Sequence, residues 1–146
     1  MTDNSRTVGA DQAEIILKLY ELRRENVMRA SRDLLMKEFW PTSFEDVQAV
    51  MTNMEHPLNA AYRQVATYWE MVYSLARYGA VDTDFLAESN GEGLFFFAKI
   101  EPFVEQIRAA GWPMAFRNTE WLIQNSKVAL ERSEFLRARV ASMQKR

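Results

Sequence analysis

Leu58, Tyr62, Val65, Trp69, Val72 and Ala76 recur at steps of four and three, the spacing that lines one face of a helix. Ala61, Tyr68, Met71, Leu75 and Tyr78 widen that face, while Arg63, Thr67, Glu70, Ser74 and Arg77 share one narrow polar stripe. A helix with so little polar surface is covered by neighbours on several sides. The pattern therefore predicts a central buried helix at about 58–78, entered through His56-Pro57 and closed at Gly79.

Shorter helical patterns flank it. Ile15, Leu19, Leu22, Val27, Ala30 and Leu34 predict a first helix from about 11 to 38, ending at Trp40-Pro41 because the residue before proline avoids helical geometry. Thr42 or Ser43, with an acid three residues on, predicts the start of a short second helix that ends near Asn53. Asp82-Thr83-Asp84 opens a short helix to about Glu88. A further helix runs over about 92–110, bent at Pro102, and a final one from Asn118 or Thr119 to about Met143. No segment alternates with period two. The fold expected is all-α: a compact bundle of five to six helices around the central one. Residues 1–10 read as a disordered N-terminus, 11–143 as a single helical domain and 144–146 as a basic tail. The two Trp-Pro-x-x-Phe strings, Trp40 to Phe44 and Trp112 to Phe116, read as two similar turns, since aligning them puts Lys18 on Asn90 and Val27 on Lys99.

Composition narrows the chemistry. With 146 residues, 48% of them hydrophobic, the chain can build a core without staples. It has no cysteine, which removes disulfides, thiolate nucleophiles and cysteine-based zinc sites together. A net charge of −2 speaks against a dedicated nucleic-acid binder, although residues 126–146 hold six basic and two acidic side chains. No signal-peptide pattern and no apolar run of membrane-spanning length is visible, so a cytoplasmic protein is expected. His56 is the single histidine, and the pairs Glu88/Glu92 and Glu101/Glu105 read as solvated helix faces, so neither a metal nor a cofactor is expected.

Several strings occur in a telling order: Tyr20-Glu21-Leu22-Arg23-Arg24, Phe39-Trp40-Pro41, Trp69-Glu70, Arg77-Tyr78-Gly79-Ala80-Val81-Asp82, Pro102 with Arg108, and Asn118-Thr119-Glu120-Trp121-Leu122. Together they resemble an uncharacterised family of bacterial helical domains, a domain of unknown function, over about residues 11–125. Members of that family often carry membrane helices ahead of the domain, and none is visible in this sequence. The resemblance implies a bacterial helical module and brings no activity or catalytic residues with it.

Two features stand out within the pattern. Arg23 falls in the apolar stripe of the first helix, where a charge needs a partner. Glu70 is the natural one and Arg108 a second, so the sequence reads either as a structural ion pair or as a ligand-binding set, Arg23, Glu70 and Arg108, receiving an anion. Phe95 projects away from the face formed by Phe96, Phe97, Ile100, Val104 and Ile107, toward another helix, a second chain or an apolar ligand. Leu136 and Met143, on the seven-residue recurrence of the last helix, join Phe95 as interface candidates. The basic end of that helix is expected to project.

No Gly-rich phosphate loop, nucleophile elbow or distinctive Ser-His-Asp set is present. The functional expectation is a non-enzymatic protein–protein interaction or regulatory module that meets a protein partner or self-associates, with a homodimer among the options. The alternative is a helical pocket for a small anionic or amphipathic ligand.

Overall fold

The computed structural model describes residues 8–144. Within them the chain forms α1 (Ala10–Arg23), α2 (Asn26–Glu38), α3 (Phe44–Thr52), α4 (Asn59–Arg77), α5 (Thr83–Ser89), α6 (Glu92–Ile100), a 3-10 turn (Glu101–Phe103), α7 (Val104–Ala109), α8 (Arg117–Asn125) and α9 (Lys127–Gln144). No strand occurs among the described residues. The expected all-helical bundle around 58–78 is the fold observed.

The central helix is α4. Its buried residues include Ala61, Tyr62, Val65, Tyr68, Trp69, Val72, Tyr73 and Ala76. It packs against α2, α3, α5 and α8, while α9 closes the bundle over α5, α6 and α8. Gly79 ends α4 in the left-handed region, with φ 83°, and the amide of Ala80 returns to the carbonyl of Leu75 at 2.8 Å. Aromatic rings fill the centre: Trp69 meets Tyr68 edge-on and stacks on Tyr73, and Tyr62 contacts Phe39 and Phe96. The buried hydroxyls are satisfied, Tyr68 donating to the carbonyl of Leu19 at 2.6 Å and Tyr73 to that of Asn90 at 2.7 Å.

Helix boundaries follow local capping chemistry. Ser43 accepts from the amide of Asp46, and Asp46 answers by accepting from the amide of Thr42, which fixes the start of α3. Asp82 caps α5 through the amide of Phe85, and His56 Nδ1 accepts from the amide of Leu58 in the turn before α4. The chain between 92 and 110 bends at Pro102, where the 3-10 turn intervenes.

Two long helices expected from the apolar pattern are each divided. Glu25 leaves helical geometry and its carboxylate accepts from the amides of Val27 and Met28, so it ends the first helix and caps α2. Ser126, extended at φ −130° and ψ 120°, breaks the last one, and its hydroxyl accepts from the amide of Ala129 while donating to Asp84 at 2.6 Å. As far as Gln144 the end of α9 also does not project as expected; Lys145 and Arg146 lie outside the described residues. Val140 is buried, Arg137 pairs with Glu101, and Gln144 donates to the carbonyl of Pro41.

At Gly93, α6 lies directly against the aromatic rings of α4. A Cβ there would press on Tyr73 Oη and lie 2.7 Å from Trp69 Cγ and Cδ2. Glycine to alanine in a helix ordinarily gains about 0.5–1 kcal/mol. Here the sign should reverse: Gly93→Ala is expected to cost about 1–3 kcal/mol in urea unfolding, because the aromatic rings must leave their packed positions. A gain in stability would contradict this contact.

Candidate functional site

Glu70 sits on the polar stripe of α4 and reaches to the first turn of α8. Its carboxylate accepts from the amides of Asn118 (3.0 Å) and Thr119 (2.9 Å) and from the Thr119 hydroxyl (2.5 Å). The Asn118 side chain donates back to the carbonyl of Glu70 at 3.2 Å. The first amides of a helix lack partners within it and carry the positive end of its dipole. Phe116, the residue at the α8 N-cap, offers no side-chain acceptor of its own. Glu70 therefore supplies the missing cap from a different helix.

Arg108 grips the same segment from the other side. Its guanidinium donates twice to the carbonyl of Ala115, at 3.0 and 3.1 Å, and pairs with Glu120 at 3.2 Å and Glu105 at 3.5 Å. Between these clamps Phe116 adopts the left-handed region, φ 59° and ψ 21°, which is rare for a bulky side chain. Burial of its ring against Phe96 and Phe97 holds it there. The turn before it exposes Trp112 and Met114, at 42% and 65% of their surfaces.

These side chains form one wall of a cleft of about 410 Å³. Met51, Tyr62 and Ala66 give it an apolar lining, and Arg63, Thr67 and Glu70 give it polar edges. The sequence reads Trp112 to Phe116 as a turn without marking it as a surface. The available signal was Trp112 and Met114 themselves, large apolar residues in a segment with no helical repeat.

The three charges expected to converge do not form a set. Glu70 and Arg108 both hold the chain around 115–120. Arg23, half-buried, closes α1 with its guanidinium 5.2 Å from the ring centre of Tyr20. Among the described residues no hydrogen bond or ion pair joins Arg23 to Glu70 or either to Arg108, which corrects the expected Arg23–Glu70 pair. The capping contacts explain it: two amides and a hydroxyl already satisfy the carboxylate.

Of the interface candidates, Phe95 is half-buried and meets Trp40 edge-on at 6.2 Å. Leu136 packs partly on the core and Met143 is half-buried, so the most exposed apolar side chain of α9 is instead Phe135. Beside Phe95 lies a residue not singled out by the sequence pattern. The Lys99 ammonium is buried, 3.9 Å from the ring centre of Trp40 and 5.1 Å from that of Phe95, and donates to the carbonyl of Leu35 at 3.1 Å. Desolvation lowers its pKa to about 8. A lone cation within the apolar run from Leu94 to Ile100 was the signal for it.

Fold and site together define an all-helical domain with a cross-capped helix corner and an apolar cleft beside it. The chain belongs to the family described as a domain of unknown function, DUF4760, which matches residues 9–126. No curated protein and no solved structure matches it. Among the described residues no helix is long and apolar enough to cross a membrane, and no group of three or more His, Cys, Asp or Glu side chains could hold a metal ion.

Two measurements check this geometry. Glu70→Ala should cost about 2 kcal/mol by removing the α8 cap, and Glu70→Gln, which keeps an acceptor, roughly half as much. Equal losses in chemical denaturation would argue against a charge-assisted cap. For Lys99, the folded pKa lies below the ordinary 10.5, so between pH 8 and 10.5 the unfolded chain binds more protons and stability rises with pH. Lys99→Met is expected to exceed the parent by about 1–3 kcal/mol at pH 7, after losing a cation–π attraction of about 2 kcal/mol. That advantage should shrink as pH approaches 10.5, and a constant gap would show that burial of the charge is not its origin.

Proposed function

We propose that this domain is a protein-interaction module whose cleft between α4 and the turn before α8 receives the apolar face of a partner helix. The observation that carries the reading is an exposed apolar lip on a rigid support. Trp112 and Met114 stand in water, yet the turn that carries them ends in a left-handed Phe116 and is clamped by Arg108 and Glu70. Placing a phenylalanine in that conformation costs about 1–2 kcal/mol. Such strain persists where surrounding contacts over-determine it, and it clusters at binding sites.

The residue types fit the purpose. Trp and Met are enriched in interface cores, and the unbranched Met side chain adapts to the shape it meets. The cleft floor from Tyr62 to Glu70 covers about two helical turns of α4, which suits a helix laid in a groove with anchors three and four residues apart. Arg63 and Thr67 at the edge give a polar rim of the kind that surrounds apolar anchors.

Because the chain has no cysteine, Thr67→Cys at the cleft edge provides a single attachment point for a photocrosslinker in the native host. A discrete protein adduct is expected, and it should disappear when Trp112→Ala and Met114→Ser are added while circular dichroism stays unchanged. No adduct, or one formed equally well without the apolar lip, would overturn the reading.

A further inference from the structure

We infer that α1 is the contact of a two-fold dimer, in which it pairs antiparallel with α1 of a second copy. Ala10, Ala13, Leu17, Tyr20 and Arg24 follow one another at steps of three and four, the spacing of a helix-pairing seam. That seam lies away from Leu19, the fully buried residue that anchors α1 with the half-buried Ile15 and Ile16. Leu17 is 67% exposed and Tyr20 50%. The helix thus carries a second apolar stripe that its own chain leaves in water.

The charges on α1 select the occupant and its direction. Asp11 and Glu14 make the first half acidic, while in the second half Lys18, Arg23 and Arg24 outweigh Glu21, with both arginine guanidiniums about 5 Å from the ring centre of Tyr20. Parallel, in-register pairing would set Arg24 against its own copy. Antiparallel pairing brings each basic end to the acidic end of the other helix and also opposes the two helix dipoles. Leu17, near the midpoint of Ala10–Arg23, then falls on the two-fold axis. At 1.5 Å per residue, Tyr20 comes level with Glu14 of the second copy, and the small Ala13 beside it on the seam leaves room for the ring. The surface is self-complementary, as a two-fold contact requires. A helix about 20 Å long buries less than the roughly 1,200 Å² of a stable interface, which makes the dimer weak and concentration-dependent.

Sedimentation of the full chain over a concentration series at low salt tests this. The average mass is expected to climb toward twice that of the chain, and to fall back as salt screens the end-to-end charges. Leu17→Glu should remain a monomer with an unchanged melting curve, since Leu17 is exposed. Two further proteins fix the direction: one with Asp11→Lys and Glu14→Lys, the other with Arg23→Glu and Arg24→Glu. Each alone should be monomeric, and mixing them in equal amounts should restore association. A mass that stays that of one chain at the highest concentration the protein tolerates would overturn the inference. So would a dimer that tolerates Leu17→Glu, or charge variants that associate alone and do not pair when mixed.

Discussion

A carboxylate on the central helix holds the first turn of another helix, and much of the outer architecture hangs on that contact. Glu70 satisfies amides that α8 cannot satisfy itself, with a charge that suits the positive end of the helix. Without it, the left-handed Phe116 would lose the fixed chain on its C-terminal side, and the wall of the cleft would lose its orientation. Arg108 repeats the arrangement on the N-terminal side through the carbonyl of Ala115. One acid and one base, each reaching backbone groups as well as side chains, define the turn between them.

The bundle was legible in the sequence because apolar periodicity is a direct record of burial. Leu58 to Tyr78 announced α4, and Ser43, Asp82 and Gly79 marked helix ends with side chains that act within one turn. Glu25 and Ser126 were not legible as breaks, because the apolar repeat runs through both positions. Whether a polar residue interrupts a helix or decorates it depends on tertiary partners such as Asp84, forty-two residues from Ser126. The candidate site was half legible. Glu70 and Arg108 stood out as charges needing partners, but periodicity names charges and not backbone acceptors. Arg108 also pairs with Glu105 and Glu120, but the contacts that fix the turn, two amides, a hydroxyl and a carbonyl, leave no mark in an amino-acid string.

Polar groups inside this protein follow one economy of contacts. Asn59 donates to the carbonyls of Val50 and Met51, Tyr68 to that of Leu19, Tyr73 to that of Asn90 and Lys99 to that of Leu35. Each closes a helix end or ties one helix to another. Lys99 differs in being charged, and its ammonium is shared between a carbonyl and two aromatic faces in place of a carboxylate. These contacts run from side chain to backbone and fix where helices begin and end, while Thr119 with Glu70 and Ser126 with Asp84 add side-chain pairs between helices.

The column formed by Tyr68, Trp69 and Tyr73 has an optical consequence. Trp69 lies 5.0 Å from one ring and 5.7 Å from the other, at interplanar angles of 79° and 30°. Transition dipoles held so close and at fixed angles couple, and the coupling vanishes once the rings tumble freely. Near-ultraviolet dichroism therefore reads the packing of the bundle centre directly, separately from the helical content that far-ultraviolet bands report. The protein carries its own gauge of whether its interior is ordered or merely collapsed.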